Sequence, residues 1–342
     1  MTSAKPRNKL AKRAPPEHSQ LLRHSIQAAF FLLNLWIGVQ FYLWVRYYET
    51  AGRSLEVGRP AGVEGWLPPA SLMSLKVLLS GGGIARIHPA GTFLLIAFLA
   101  ASFLFRRSFC GWLCPVGTVS EYLWFLGRRL FHRNFRAPRW FDLALRSMKY
   151  LLLAAFSYAV AIMSVEAIRG FLESPYGVID DVKMLNFFRE AGTVTAIVLA
   201  ILVAGSIAIQ NFWCRYFCPY GALLGLVSLL SPLRIRRDKD LCIDCARCAK
   251  ACPSSLPVDR LVTVQSAECL ACLHCVAACP AEGALFLSAP RCKRVAPWAV
   301  AAGIAALFFG TCACARLTGH WDTALPKQIY FRLVPNADRY SH

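Results

Sequence analysis

Long runs without a charged residue constrain this chain most. A helix needs about 20 apolar residues to cross about 30 Å of hydrocarbon, and only helices or closed barrels satisfy their own backbone there. Such runs lie between Arg23 and Arg46, Arg86 and Arg106, Glu190 and Arg215, and Arg294 and Arg316. Another, Tyr150 to Val165, is short at 16 residues, and gains a turn if Arg146 and Lys149 snorkel to the interface. The 342 residues are 56% hydrophobic and 17% charged, whereas soluble domains run near 25% charged. The net charge of +19 on so apolar a chain argues against a soluble nucleic-acid binder, and the apolar content excludes disorder. Residues 1–23 are polar and basic, and no secretory cleavage signal follows the first apolar run.

Orientation follows from the basic residues flanking the runs. Segments 1–25, 106–149 and 215–294 carry 26 Lys+Arg against 9 Asp+Glu, and segments 46–86, 166–190 and 316–342 carry 12 against 10. The first set is expected in the cytoplasm, which places the N-terminus inside the cytoplasmic membrane of a bacterium and the C-terminus outside. Residues 118–136 and 221–233 read as interfacial amphipathic helices, and 70–79 as a short surface helix within an irregular segment containing Gly58, Gly62, Gly65 and Pro68-Pro69.

Residues 238–291 are polar and dense in cysteine. They contain Cys242-x2-Cys245-x2-Cys248-x3-Cys252-Pro253 and Cys269-x2-Cys272-x2-Cys275-x3-Cys279-Pro280. Each is the run that binds [4Fe–4S] clusters in bacterial ferredoxins. Three thiolates at three-residue steps wrap one cube, and the fourth reaches the other. One cluster is therefore expected on Cys242, Cys245, Cys248 and Cys279, and the second on Cys269, Cys272, Cys275 and Cys252. Structural zinc also uses paired Cys-x2-Cys, but does not need the further cysteines and proline, twice over. A reducing cytoplasmic side disfavours disulfides. Arg247 and Lys250 stand inside the first motif, either raising its potential and attracting an acidic partner or simply lying in solvent.

A second constellation follows the apolar runs. The chain reads Phe109-Cys110-Gly111-Trp112-Leu113-Cys114-Pro115-Val116-Gly117, and again Trp213-Cys214-Arg215-Tyr216-Phe217-Cys218-Pro219-Tyr220-Gly221, 104 residues later. Both are aromatic-Cys-x3-Cys-Pro-x-Gly, each before an expected interfacial helix, which makes an internal repeat. A residue before proline avoids the helical region, and proline suits a first helical position. Cys114 and Cys218 are thus expected immediately before helix N-termini, where the dipole favours thiolate. Cys110, Cys114, Cys214 and Cys218 could hold a third redox-active metal site. A third [4Fe–4S] cluster, Cu(I) or Zn, two reversible dithiols, and four structural cysteines under Trp112, Trp213 and Tyr216 all fit the spacing.

Twin Cys-x3-Cys-Pro loops followed by a two-cluster ferredoxin resemble the NapH-type membrane polyferredoxins, to which the electron-transfer halves of NosR and CcoG are related. The resemblance covers roughly residues 90–290. It implies electron transfer between the quinone pool or a cytoplasmic donor and a redox partner protein at the membrane, as in a quinol dehydrogenase component. The CcoG relatives imply copper reduction during metalloenzyme assembly instead, and an iron–sulfur redox sensor is a third alternative. The chain departs from these patterns: no flavin-binding domain precedes the first run as in NosR, no C-terminal β-sandwich follows as in CcoG, and a fifth span and tail extend past NapH.

The expected fold class is mainly α: a polytopic membrane protein of five transmembrane helices with an inserted two-[4Fe–4S] ferredoxin domain. The expected organisation is a basic N-terminus (1–25), a four-helix membrane domain with the twin Cys repeats (26–236), the ferredoxin domain (237–292), a fifth helix (295–316) and an outer tail (317–342). Cys312 and Cys314 read as structural, Cys292 as a bystander, and His88 as a satisfied interface histidine. Asp180, Asp181, Glu173 and Glu190 read as a solvated acidic loop, and Glu121 as ambiguous.

Overall fold

The computed structural model describes residues 12, 19–132, 135 and 138–340. Most of the expected basic N-terminus, Arg136 at the end of the first expected interfacial helix, and the last two residues of the tail lie outside the described residues. The helices are α1 (Ser19–Glu49), α2 (Pro68–Leu79), α3 (Pro89–Phe105), α4 (Pro115–Phe131), α5 (Arg139–Ile162), α6 (Val165–Leu172), α7 (Pro175–Val178) and α8 (Asp180–Arg189). They continue with α9 (Thr193–Ala208), α10 (Phe212–Tyr216), α11 (Pro219–Ser228), α12 (Arg247–Ala251), α13 (His274–Ala277), α14 (Pro297–Leu317) and α15 (Lys327–Leu333). Two strands, β1 (Arg234–Arg237) and β2 (Leu285–Ser288), pair antiparallel with Arg234 opposite Ser288. Proline opens α2, α3, α4, α7, α11 and α14, where its missing N–H costs nothing and its fixed φ suits the first turn.

Among the described residues, three helices are long and apolar enough to cross a membrane: α1, Trp140–Ile162 within α5, and α14. Helices α8 and α9 meet at an 80° bend and pass the same test as a pair. The expected second span appears as α3, 17 residues, which is about 25 Å at 1.5 Å per residue and shorter than a full crossing. The run expected from Tyr150 is longer than its apolar core, because α5 begins at Arg139. Lys149 does not snorkel there: it is fully buried against Glu268. Arg146 pairs with Asp142 one turn back, 2.6 Å away.

Two compact units emerge. The first comprises residues 1–30, 99–149 and 205–305. Its core joins Leu233, Ile235, Leu285 and Leu287 of the hairpin to Trp112 and Leu113, to Leu256, Val258, Val264 and Leu273, and to Val300 and Ile304 of α14. The apolar side chains of the cysteine-rich segment are thus buried together with residues of the flanking helices. The structured boundary also begins earlier than residue 237, with β1 at Arg234.

The second unit comprises 31–98, 150–204 and 306–342. One of its clusters stacks Phe41, Trp44 and Tyr48 of α1 with Tyr330, Leu333 and Val334. Lys76 of α2 donates to the carbonyls of Val160, Ala161 and Met163 at 3.0, 2.9 and 2.6 Å, a cation on the orphan acceptors at the end of α5. The acidic residues expected in a solvated loop are in part buried here. Arg59 lies 2.7 Å from both Glu64 Oε1 and Asp181 Oδ2. Glu64 Oε2 also accepts from the Gly91 N–H at 2.9 Å, and His88 Nε2 stands 2.9 Å from Asp180 Oδ1. His88 is thus a satisfied buried histidine, as expected, whereas Asp181 is 1% exposed, because burying Arg59 requires carboxylates beside it.

Candidate metal centres

All twelve motif cysteines lie in the first unit. In the ferredoxin segment the backbone repeats itself. Asp244 and Ala246 flank Cys245 with φ of +53° and +55°, and Ala271 and Leu273 flank Cys272 with +49° and +58°. Left-handed conformations are costly for residues with a Cβ, and paired with right-handed turns they aim successive N–H groups at an anion. Each loop then runs into a single helical turn, α12 or α13, carrying the third cysteine.

The thiols of the two motifs lie close to one another. Cys279 has Cys245 and Cys242 as charge neighbours, and Cys248 has Cys279 and Cys242. Cys275 neighbours Cys272, Cys269, Cys252 and Cys248, and Cys252, Cys269, Cys272 and Cys275 line one cavity with Pro253, Leu256 and Val258. Of the two expected sets, the first is half-buried with Cys245 exposed, and the second is buried throughout. Burial pushes the Cys252 thiol up to about 11 and the Cys272 thiol up to about 12. Four closely set thiols in such surroundings stay protonated unless a cationic metal core takes them as thiolates. The donor sets fit [4Fe–4S] cubes.

The twin pairs, far apart in sequence, also converge. Cys214 has Cys218, Cys114 and Cys110 as charge neighbours. Burial, then Cys110, pushes the Cys114 thiol up to about 12. Cys110 sits in a widened turn, Phe109–Leu113, and Cys214 in α10. Cys114 and Cys218 are the extended residues before α4 and α11, and Cys218 Sγ accepts from the Gly221 N–H at 3.2 Å. The shared glycines have distinct causes. A Cβ on Gly117 would fall 2.5 Å from the Cys110 carbonyl oxygen, and one on Gly221 would fall 2.3 Å from Arg107 Nη2.

Three links tie these loops to the buried ferredoxin set. Trp112 Nε1 donates to the Ala271 carbonyl at 3.0 Å, and a Cβ on Gly111 would meet the Leu270 carbonyl oxygen at 2.6 Å. Arg215, beside Cys214, donates to the Ser254 carbonyl at 2.9 Å and forms a two-nitrogen pair with Asp142. Arg107 donates to Cys110 Sγ at 3.3 Å and lies 3.4 Å from Glu268, the residue before Cys269.

Sequence reasoning missed most of these charged partners, and left Glu121 undecided. Glu121 is buried and bound to Arg23, 2.5 Å away. Burial alone would raise its carboxyl, but hydrogen bonds from Arg23 and Gln27 hold it well below the usual carboxylate range. His24, Glu121 and His274 bring three ligand atoms within 4.8 Å of one another. Arg23 contacts all three, at 2.9 Å from His24 Nε2 and 2.8 Å from His274 Nε2. A guanidinium only donates, so it already occupies this trio as its cation. The same Arg23 and Gln27 donate to the Gly111 carbonyl at 3.1 Å each. Elsewhere, Cys292 is exposed with Arg236 at 2.8 Å, Cys314 is exposed and Cys312 half-buried.

Comparisons with known proteins agree with this arrangement. The family model described as "4Fe-4S binding domain" matches residues 87–134 and 191–237, each holding one Cys-x3-Cys-Pro loop. The "4Fe-4S dicluster domain" model matches 234–280. The chain is 45% identical to the electron transport protein YccM of Escherichia coli K12 over 326 residues, 94% of this chain and 91% of that one. It is 31% identical to protein NirI of Paracoccus denitrificans over 61% of this chain and 30% of NirI. With the ferredoxin-type protein NapH of Escherichia coli K12 it shares 25% identity over 53% of this chain and 59% of NapH. No solved structure matches. With cysteine motifs, their geometry and near full-length similarity in accord, the chain belongs to the YccM family of NapH-related, ferredoxin-type membrane electron-transfer proteins.

Proposed function

We propose that this protein passes single electrons between a cytoplasmic donor or the quinone pool and a redox partner at the membrane, using three iron–sulfur centres. The observation that carries this reading is one unit containing three groups of four thiols, one open at Cys245, one buried and one half-buried. Cys242, Cys245, Cys248 and Cys279 would hold the outermost cluster, where Cys245 is open to a partner. Cys269, Cys272, Cys275 and Cys252 would hold the second, inside the shared core. Cys110, Cys114, Cys214 and Cys218 would hold the third. A [4Fe–4S] description for the model that matches both twin loops favours a cluster there over copper or zinc.

Bound clusters supply reversible one-electron chemistry. The chain's own residues fix the ligands and exclude water. The left-handed residues around Cys245 and Cys272 give each loop a conformation of the kind in which N–H groups turn toward an anion. Trp112, 1% exposed, fills the space between the twin loops and the Ala271 segment and donates its N–H there. Membrane anchoring is supported by α1, α5 and α14, with α8 and α9 as a bent fourth span, all long and apolar enough to cross. The basic bias of segments 1–25, 106–149 and 215–294 supports a cytoplasmic ferredoxin segment in the inner membrane.

Protein purified without oxygen tests the reading. It should contain about twelve iron and twelve acid-labile sulfide per chain, for three cubes. Cys110→Ser with Cys214→Ser should lose about a third of both and keep two ferredoxin signals in low-temperature EPR. Zinc in place of iron overturns the proposal, and iron for two cubes only overturns its third centre.

A further inference from the structure

Between the twin Cys loops and the buried ferredoxin set lies a group of three charges that ligand binding does not require. Lys149 is 0% exposed at its side chain, Arg107 2% and Glu268 11%. Lys149 Nζ lies 2.5 Å from Glu268 Oε1, and Arg107 Nη1 lies 3.4 Å from Glu268 Oε2. Arg107 also donates through Nε to Cys110 Sγ at 3.3 Å and through Nη2 to the Cys214 carbonyl at 3.4 Å. Arg107 and Lys149 are both charge neighbours of the Cys218 thiol.

Two cations, Arg107 and Lys149, are buried beside the Glu268 carboxylate. A charge in a helix that otherwise reads as a span is costly and calls for a functional explanation. Arg107 brings positive charge to within 3.3 Å of Cys110 Sγ, in the group of four thiols. An electron added to a centre on four thiolates increases its negative charge, and in a water-poor site a nearby cation stabilises that state strongly. Removing a cation therefore disfavours reduction, and removing the carboxylate favours it.

We propose that Arg107 and Lys149, held by Glu268, are positioning residues that raise the reduction potential of the centre on Cys110, Cys114, Cys214 and Cys218. The inference rests on the third centre proposed above. Lys149 is the cleaner probe, since Arg107 also hydrogen-bonds a ligand.

Redox titration of the intact, iron-loaded protein, followed by EPR, decides it. Lys149→Met should shift the reduction equilibrium of the twin-loop signal about tenfold toward the oxidised form, about 59 mV for one electron. Lys149→Arg, which keeps the charge, should restore the wild-type value, and Glu268→Gln should shift it the opposite way. A merely structural triad would not give shifts of opposite sign. Full iron content with an unmoved midpoint in Lys149→Met overturns the inference and leaves the third centre standing. Should Lys149→Met fail to load that centre, Glu268→Gln carries the test, and an unchanged or lowered midpoint overturns the inference. Iron for only two cubes in the wild type removes the third centre and the inference with it.

Discussion

Single residues show what burial does to charge. Glu64 is held by Arg59, His88 and the Gly91 N–H. Burial alone would raise its carboxyl, but Arg59 and His88 more than offset this and bring it from 4.5 down to about 2. A carboxyl depressed in the folded state stabilises above its unfolded value and loses that contribution as pH falls through the folded one. About 3 kcal/mol should therefore disappear between about pH 4.5 and pH 2. Thermal unfolding in detergent across this window should show the loss in the wild type and a flatter profile in Glu64→Gln. Equal slopes would mean that Glu64 is not the titrating group. Asp181 teaches the same lesson: its position in a short acidic loop looks solvated, yet Arg59 lies 122 residues away in sequence and 2.7 Å away in space.

At the scale of elements, the twin loops were legible because their rules are local. Proline after the second cysteine starts α4 and α11 and forces the cysteine before it to be extended. The glycine two residues later admits a close backbone approach at the first loop. Gly117→Ala would set a methyl group against the Cys110 carbonyl, and the loop must open to accept it. The expected outcome is loss of about a third of the iron with both ferredoxin EPR signals kept. Unchanged iron would show that the loop tolerates the side chain. The interfacial stretch read as 118–136 appears as α4 over Pro115–Phe131, and 221–233 as α11 over Pro219–Ser228. The shift toward the cysteines follows from proline being a first helical residue rather than a spacer.

For the whole molecule, the basic bias of alternate segments predicts the direction of insertion. A periplasm-dependent reporter should be active when fused after residue 340 and inactive when fused within 238–291. The reverse pattern would invert the orientation and put the ferredoxin segment on the wrong side for a cytoplasmic donor. At this scale the hydrophobic side chains of the ferredoxin segment are buried together with Trp112, Leu113, Val300 and Ile304.

The amino-acid order by itself determined the apolar runs, both ferredoxin motifs, and the repeat of the twin Cys loops. Each depends on steps of a few residues, along which backbone geometry fixes what a side chain can reach. Only the tertiary structure decided which charges are buried and beside what. Lys149 lies buried with Glu268, Arg23 fills the trio of His24, Glu121 and His274, and two cysteine pairs 104 residues apart come near one another. A buried charge is tolerated only where packing brings a counter-charge to it, and no local pattern records a partner 98 or 119 residues away.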